Sequence, residues 1–383
     1  MHLKSLYLKD FRNYDQVSMD FAPGINVFIG DNAQGKTNLI EAIYMLSLAR
    51  SHRTAKEREV IRFGADFARI EGRVAKKNGE VPLSLTMTKK GKIAKLNRLQ
   101  QERLSDYIGA FNVVLFAPED LELVKGAPQL RRLFIDRELS QMNPTYLYDS
   151  SNYQHLLKQR NTYLKQLQRR EAQDKLYLNV LTEQLVAFAS RMMVQRFQFI
   201  KKLEAYAQPI HAQLSMDKET LTLAYQASLK VDDTSTVDQL KTELMDKFQS
   251  IQEREIEVGS TQIGPQRDDL KLMINDKVVQ QYGSQGQQRT TVLSLKLAEI
   301  ECMHETLGEY PILLLDDVLS ELDDQRQTHL LKTIEKKVQT FLTTTSMEGI
   351  QADKIDDPDL FSIKAGQVEL KEWIKQDGRK SSK

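Results

Sequence analysis

The spacing of apolar residues switches between the two-residue period of strands and the 3.6-residue period of helices. Residues 3–8 (LKSLYL) and 17–29 alternate or run apolar, which predicts strands, the second ending at Gly30. After Thr37, NLIEAIYMLSLAR has helical period, with Leu39, Ile40, Ile43 and Leu46 on one face. Residues 67–99 predict a meander of short strands turning at Asn78-Gly79 and Lys90-Gly91, and 111–118 an apolar strand ended by Pro118. From about 121 to 256 the pattern is mostly long helix, rich in Gln, Leu, Lys and Arg. Pro209 is expected to kink or end one of these helices, and KVDDTSTVD to link to another over 237–254. Strands are expected again at TQIGPQRDDLKLMIN and KVVQQYGS, followed by a helix opening at SQGQQR. PILLLDDV (311–318) reads as a strand buried in a parallel sheet, and VQTFLTTT (338–345) as another. The terminal KQDGRKSSK reads as a solvated tail.

This order is α/β, then helical, then α/β. It predicts one α/β domain interrupted by a helical lobe, its first and last parts sharing a sheet.

GDNAQGKT, Gly30 to Thr37, satisfies GxxxxGK[ST] in full, with a strand before it and a helix after it. In such a loop, backbone N–H groups from Gly30, Asp31, Asn32, Ala33, Gln34 and Gly35 point at a β-phosphate, and the following helix adds its dipole. Lys36 reaches the β- and γ-phosphates of ATP, the Thr37 hydroxyl ligates Mg²⁺, and Asn38 follows on the first helical turn. LLLDDVLSELD (313–323) places Asp316 at a strand end, where a carboxylate completes the Mg²⁺ site. Asp317 is then the residue to orient or deprotonate water. By themselves, the two aspartates fit equally well as caps of the next helix. SQGQQR (284–289) offers a hydroxyl from Ser284, a close backbone N–H at Gly286 and a helix dipole. Taken alone it fits an ordinary Ser N-cap better than an anion site.

Strand–GxxxxGKT, a Ser-Gly-Gln helix start and hhhhDD followed by Ser320-Glu321-Leu322-Asp323 resemble, in that order, the ABC-type ATPase head. LKDFRNYD, IGDNAQGKTNLIEAIYMLSLARSHRT, LFAPEDLELVKGAPQLRRLFID, IGPQRDDL and YGSQGQQRT further resemble the RecF family of bacterial replication-repair ATPases, over nearly the whole chain. The resemblance implies an α/β ABC-type P-loop head, mixed sheets around the P-loop helix, with an inserted, mainly α-helical lobe. Residues 1–120 and 305–383 would form the ATPase lobe, and 121–304 the lobe carrying the signature turn. It implies a composite site in which Ser284, Gly286 and Gln287 of a second copy contact the γ-phosphate of ATP, with Asp323 across the interface. Arg12 and the Arg53 region match positions near the nucleotide. It implies an ATP-dependent homodimer on DNA gaps and single-strand/duplex junctions, acting with RecR and RecO to load RecA and support the SOS response. Slow, DNA-stimulated hydrolysis would open the dimer. The sequence departs from the pattern in three places. Asp317 stands where a Glu is usual, FLTTTS offers Thr344 or Thr345 in place of a switch His, and LFAPEDL lacks the Gln of a Gln-loop. An SMC-type chromosome-organising ATPase is the alternative, but the stretch between Thr37 and Ser284 is too short for its coiled-coil arm.

A net charge of +1 gives no global basic field, so a DNA surface must be local. SHRTAKEREVIR, GAPQLRR and KQRNTYLKQLQRR are basic clusters, each equally well read as a solvated helix face, with Tyr153 and Tyr163 near the last as base-stacking candidates. His52 reads as structural. The single Cys302 excludes an internal disulfide or a CxxC zinc site, and no segment has the length of a signal peptide core or membrane helix. A soluble, cytoplasmic protein is expected.

Overall fold

A computed structural model describes residues 1–319, 322–334, 337–346 and 358–371. The alternating N-terminal segment forms a hairpin, β1 (His2–Phe11) and β2 (Tyr14–Asp20). The strand expected over 17–29 is divided at Pro23-Gly24, and β3 (Ile25–Ile29) enters a different sheet. The phosphate loop leads from β3 into α1 (Lys36–Leu48). The expected meander is present as β4 (Phe67–Lys76), β5 (Gly79–Thr88), β6 (Gly91–Leu96) and β7 (Leu99–Gln100). These strands build an antiparallel sheet in the order β2-β1-β4-β5-β6-β7. β8 (Val113–Phe116) is the apolar strand before Pro118.

Inter-residue contacts divide the chain into two units, Met1–Asp120 with Leu293–Lys383, and Leu121–Val292. The second unit opens with α2 (Glu122–Lys125), α3 (Pro128–Met142), α4 (Pro144–Gln168) and α5 (Lys175–Leu214). Local chemistry sets these boundaries. Asn143 accepts the N–H groups of Thr145 and Tyr146 with Pro144 at the first helical position, and Asp174 accepts those of Leu176 and Tyr177. Pro209 does not end α5, which runs on to Leu214. β9 (Leu221–Gln226), unforeseen in the helical pattern, is followed by α6 (Val237–Val258), which opens with a Thr236/Gln239 capping box. The strand expected over 261–275 is confined to β10 (Asp269–Ile274). KVVQQYGS forms only β11 (Lys277–Val278) before α7 (Val279–Tyr282). β11, β10 and β9 form a three-stranded antiparallel sheet.

α8 (Gln285–Leu307) starts in the second unit and ends in the first. The junction lies between Val292 and Leu293, where the sequence reading set it after residue 304. β12 (Ile312–Leu315), α9 (Asp324–Ile334), β13 (Thr340–Thr344) and the hairpin β14 (Asp359–Lys364) and β15 (Gln367–Lys371) complete the first unit. Its second sheet has the order β15-β14-β3-β13-β12-β8, parallel apart from β15. α1 touches β1, β4 and β5 of one sheet and β8, β12 and β13 of the other. It is therefore buried all round from Leu39 to Leu48, not along the single face its spacing predicts. Its polar residues are satisfied internally; the Ser47 hydroxyl donates to the Phe111 carbonyl at 2.6 Å. Among the described residues, no helix is long and apolar enough to cross a membrane.

Candidate functional site

Gly30 to Thr37 joins the carboxyl end of β3 to α1. A Cβ on Gly30 would overlap the Ile363 carbonyl oxygen, and Gly35 has φ 118° with Asn13 and Tyr14 against it, so neither position admits a side chain. Asp31, Asn32 and Ala33 form the exposed tip, and Gln34 turns back toward the protein. The Lys36 ammonium, 8% exposed, donates to the carbonyls of Gly30 at 2.6 Å and Asp31 at 2.8 Å. Burial pushes its pKa down, against the opposing pull of Asp317, Asp316 and Asp31.

The parallel register places β12 beside β13 and β13 beside β3, so three strand ends meet at the loop. Asp316 follows β12. Its Oδ1 accepts from the Thr37 hydroxyl at 3.0 Å and the Thr343 hydroxyl at 2.8 Å. Burial raises the Asp316 pKa, these two hydrogen bonds oppose the rise, and the exposed Glu119 adds to it. Asp317 is exposed, sits at φ 55°, and donates its N–H to the Thr343 hydroxyl at 2.8 Å.

Thr343 is the site residue that the sequence reading missed. Leu315 pairs with Leu342, so the next residues, Asp316 and Thr343, stand side by side. Of the two threonines named instead, Thr344 donates its hydroxyl to the Ser346 carbonyl at 2.7 Å, and Thr345 is exposed. Strand alternation puts Thr343 and Thr344 on opposite faces and was the available signal.

Arg12 is engaged by α1. Its guanidinium grips Glu41 of α1 bidentately at 2.8 and 2.6 Å and donates to the Glu59 carbonyl at 2.8 Å. Glu41 is fully buried, which favours its neutral form. The hydrogen bonds from Arg12 and Ser51, with the charge of Arg53, overcome that and hold its pKa below the usual range. Arg53 donates to Asn38 Oδ1 at 2.9 Å, which places it beside the first turn of α1.

Within the second unit, SQGQQR opens α8 as a capping box. Ser284 Oγ accepts from the Gln287 N–H at 3.2 Å, and Gln287 Oε1 accepts from the Ser284 N–H at 2.8 Å. The N-cap reading favoured by the motif alone is therefore present, with Ser284 exposed and Gly286 half-buried. In the D-loop segment, Ser320 and Glu321 lie outside the described residues. Asp323 caps α9, accepting the Arg326 N–H at 2.9 Å, so the capping role falls to it and not to Asp316. The carboxyl-terminal tail from Lys375 also lies outside the described residues.

Several proposed DNA-contact residues are internal. Arg131 is buried in a bidentate pair with Asp269 at 2.7 and 2.9 Å, and Arg132 donates to the Asp268 carbonyl at 2.8 Å, so GAPQLRR braces its own unit. Arg160 is buried against Glu255 at 2.6 Å, and Tyr153 is fully buried, its hydroxyl donating to Gln266. Tyr163 packs edge-on to Tyr177 and is half-buried. Lys56, Arg58, Lys158, Lys165, Arg169 and Arg170 remain exposed. His52 packs edge-on against Tyr44, and Cys302 is buried.

The comparisons with known proteins agree with this arrangement. Residues 2–357 match the RecF/RecN/SMC N terminal domain. The DNA replication and repair protein RecF of Bacillus subtilis (strain 168) is 53% identical over 368 residues, covering 96% of this chain and 100% of that one. RecF of Latilactobacillus sakei subsp. sakei (strain 23K) is 55% identical over 372 residues, covering 96% and 98%. The solved structure described as the recombination mediator protein RecF-ATP in the RecFOR pathway superposes with a TM-score of 0.90 at 33% identity, covering 96% of this chain and 97% of that one. An SMC head bound to the C-terminal winged-helix domain of ScpA, 16% identical with a TM-score of 0.56 and 97% of each chain covered, shares the fold alone. The expected ABC-type α/β head is thus borne out, and with identity above one half along its length this chain belongs to the RecF family of DNA replication and repair proteins.

Proposed function

We propose that this chain binds MgATP at Gly30–Thr37, with Lys36 on the β- and γ-phosphates and Thr37 and Asp316 holding Mg²⁺. The observation that carries this reading is the 3.0 Å hydrogen bond from Thr37 to Asp316 at the mouth of a phosphate loop. Two oxygen ligands from separate elements already meet there, as a magnesium site requires. Burial disfavours the Asp316 carboxylate, so a cation beside it restores the ionised form. Bound there, Mg²⁺ would offset the charge of the β- and γ-phosphates. The RecF-ATP relative supports the choice of nucleotide.

Asp317, beside Lys36 and held by Thr343, is the group to orient or deprotonate attacking water. A carboxylate shorter than the Glu of related heads fits a slow, DNA-stimulated ATPase that acts as a switch. Asp317→Asn is expected to reduce phosphate release about a hundredfold while an ATP-bound dimer accumulates; unchanged release assigns the base elsewhere.

In the full reading, Ser284, Gly286 and Gln287 of a second copy close over the γ-phosphate, and the dimer holds DNA at gaps and single-strand/duplex junctions. With RecR and RecO it promotes RecA loading and the SOS response, the RecFOR pathway named for the solved relative. Because Ser284 also caps α8, two variants separate the roles. Ser284→Asp keeps a capping acceptor and adds negative charge, whereas Ser284→Arg adds bulk. Both are expected to bind MgATP normally as monomers and to lose the ATP-dependent mass increase in light scattering. Loss of MgATP binding by the monomer would remove the composite site.

A further inference from the structure

The tip of the β1–β2 hairpin, Arg12-Asn13-Tyr14, touches the phosphate loop and α1 at three consecutive positions. While Arg12 grips Glu41, Asn13 uses both ends of its amide. Its Nδ2 donates to the Gln34 carbonyl at 3.0 Å, and its Oδ1 accepts from Asn38 Nδ2 at 2.8 Å. The buried Tyr14 hydroxyl donates to the Gly35 carbonyl at 3.0 Å, and burial raises its pKa, keeping it a donor. From the β14–β15 turn, Gly366 N–H donates to the same Gln34 carbonyl at 3.2 Å, and Ala365 N–H to Gln34 Oε1 at 2.7 Å.

Peptide geometry gives these contacts a direction. Across a trans peptide the C=O and the following N–H point opposite ways, and no peptide among the described residues is cis. Drawing the Gln34 carbonyl toward Asn13 and Gly366 turns the Gly35 N–H away from them. The Gly35 carbonyl accepts from the Asn38 and Leu39 N–H groups at 3.0 and 3.2 Å as well as from Tyr14, so the first turn of α1 and Tyr14 together turn the Lys36 N–H the opposite way. These are amides that a phosphate loop offers to an anion. Outward anchoring of two carbonyls is therefore inward presentation of two donors.

We propose that Asn13, which lies outside the GxxxxGKT motif, is a positioning residue for nucleotide binding. Through Gln34 and Asn38 it holds the loop's amides in the anion-binding orientation before the phosphates arrive. The proposal rests on Gly30–Thr37 being the MgATP site. Asn13 itself is exposed, so its removal leaves the core intact.

The test uses the full chain and titration calorimetry with MgATP and MgADP, beside thermal melting without nucleotide. Asn13→Ala is expected to weaken both nucleotides about tenfold, the reach of one well-placed hydrogen bond, with little change in melting. Asn13→Asp keeps the acceptor for Asn38 but loses the donor to Gln34 and adds negative charge, so it should lose at least as much. Tyr14→Phe, which removes only the hydroxyl, should weaken binding by a smaller factor. Lowered melting with nucleotide affinity unmoved, as a purely structural role gives, overturns the proposal. Absence of MgATP binding by the unaltered chain overturns instead the nucleotide reading on which it stands.

Discussion

Lys36→Ala is expected to weaken MgATP binding by at least about a hundredfold, measured by calorimetry, and with it any ATP-dependent dimer. The ammonium is held by the carbonyls of Gly30 and Asp31 at the point where the loop closes. It faces Asp317, Asp316 and Asp31, and nothing in an alanine replaces it against three carboxylates and an incoming polyphosphate. Two charge-assisted hydrogen bonds to the β- and γ-phosphates, at about 1.5 kcal/mol each, correspond to roughly a hundredfold, before the like-charge repulsion left behind. Lys36→Arg keeps the charge but brings a planar fork to a place fitted for a single ammonium, so it should recover only part of the affinity. Asp316→Ala should separate the metal from the phosphates, losing the Mg²⁺ dependence of binding while nucleotide alone still binds. Wild-type affinity in Lys36→Ala would show that this loop is not the nucleotide site.

What the sequence made legible follows from where its chemistry is local. GDNAQGKT is contiguous, and its strand and helix are adjacent in the chain, so the sequence alone places the loop and α1. Asp316 was also legible, because a strand of four leucine and isoleucine residues ends beside it. Thr343 was not, because its role depends on the register between β12 and β13, which a run of three threonines leaves open. The single apolar face assigned to α1 was too narrow because a helix between two sheets is buried on every side, and Glu41, off that face, is buried against Arg12. β9 was hidden in a run of helical composition, and IGPQRDDL reads as the start of a strand although 261–268 is an irregular segment, with a turn at 265–267, held by Asn161, Arg196 and Ser228. The basic clusters misled for the same reason. Sequence charge does not distinguish Lys158, which is exposed, from Arg160, which is buried two positions on.

Those buried arginines carry the other large expected effect. Arg196→Ala should destabilise the second unit by about 3–5 kcal/mol, the cost of removing a buried, fully hydrogen-bonded guanidinium from an ion pair whose other member, Asp136, is half-buried. Arg196 is 1% exposed and serves four groups. It donates to the Tyr146 hydroxyl at 2.9 Å, the Tyr225 hydroxyl at 3.2 Å, the Pro265 carbonyl at 2.7 Å and the Asp136 carboxylate at 2.7 Å. Burial alone would favour a neutral guanidine, but Tyr146, Tyr225 and Asp136 outweigh it and push the pKa well above the ordinary value, so the side chain is a fixed cation. Tyr225 in turn donates to Asp268, whose other oxygen accepts the Ser228 N–H at 2.7 Å, so one arginine ties α3, α4, α5, β9 and the 264–268 turn together. Removing it leaves the Asp136 charge without its cation and the Pro265 carbonyl without its donor. Adding Asp136→Asn should therefore return part of the loss, because the uncompensated charge goes with it. For a unit of this size the single variant should lower its melting temperature by roughly 6–20 °C, at about 2–4 °C for each kcal/mol. A loss below about 1 kcal/mol in urea unfolding would mean that water replaces the guanidinium, and that the turn is held by Tyr153 and Ser228 without it.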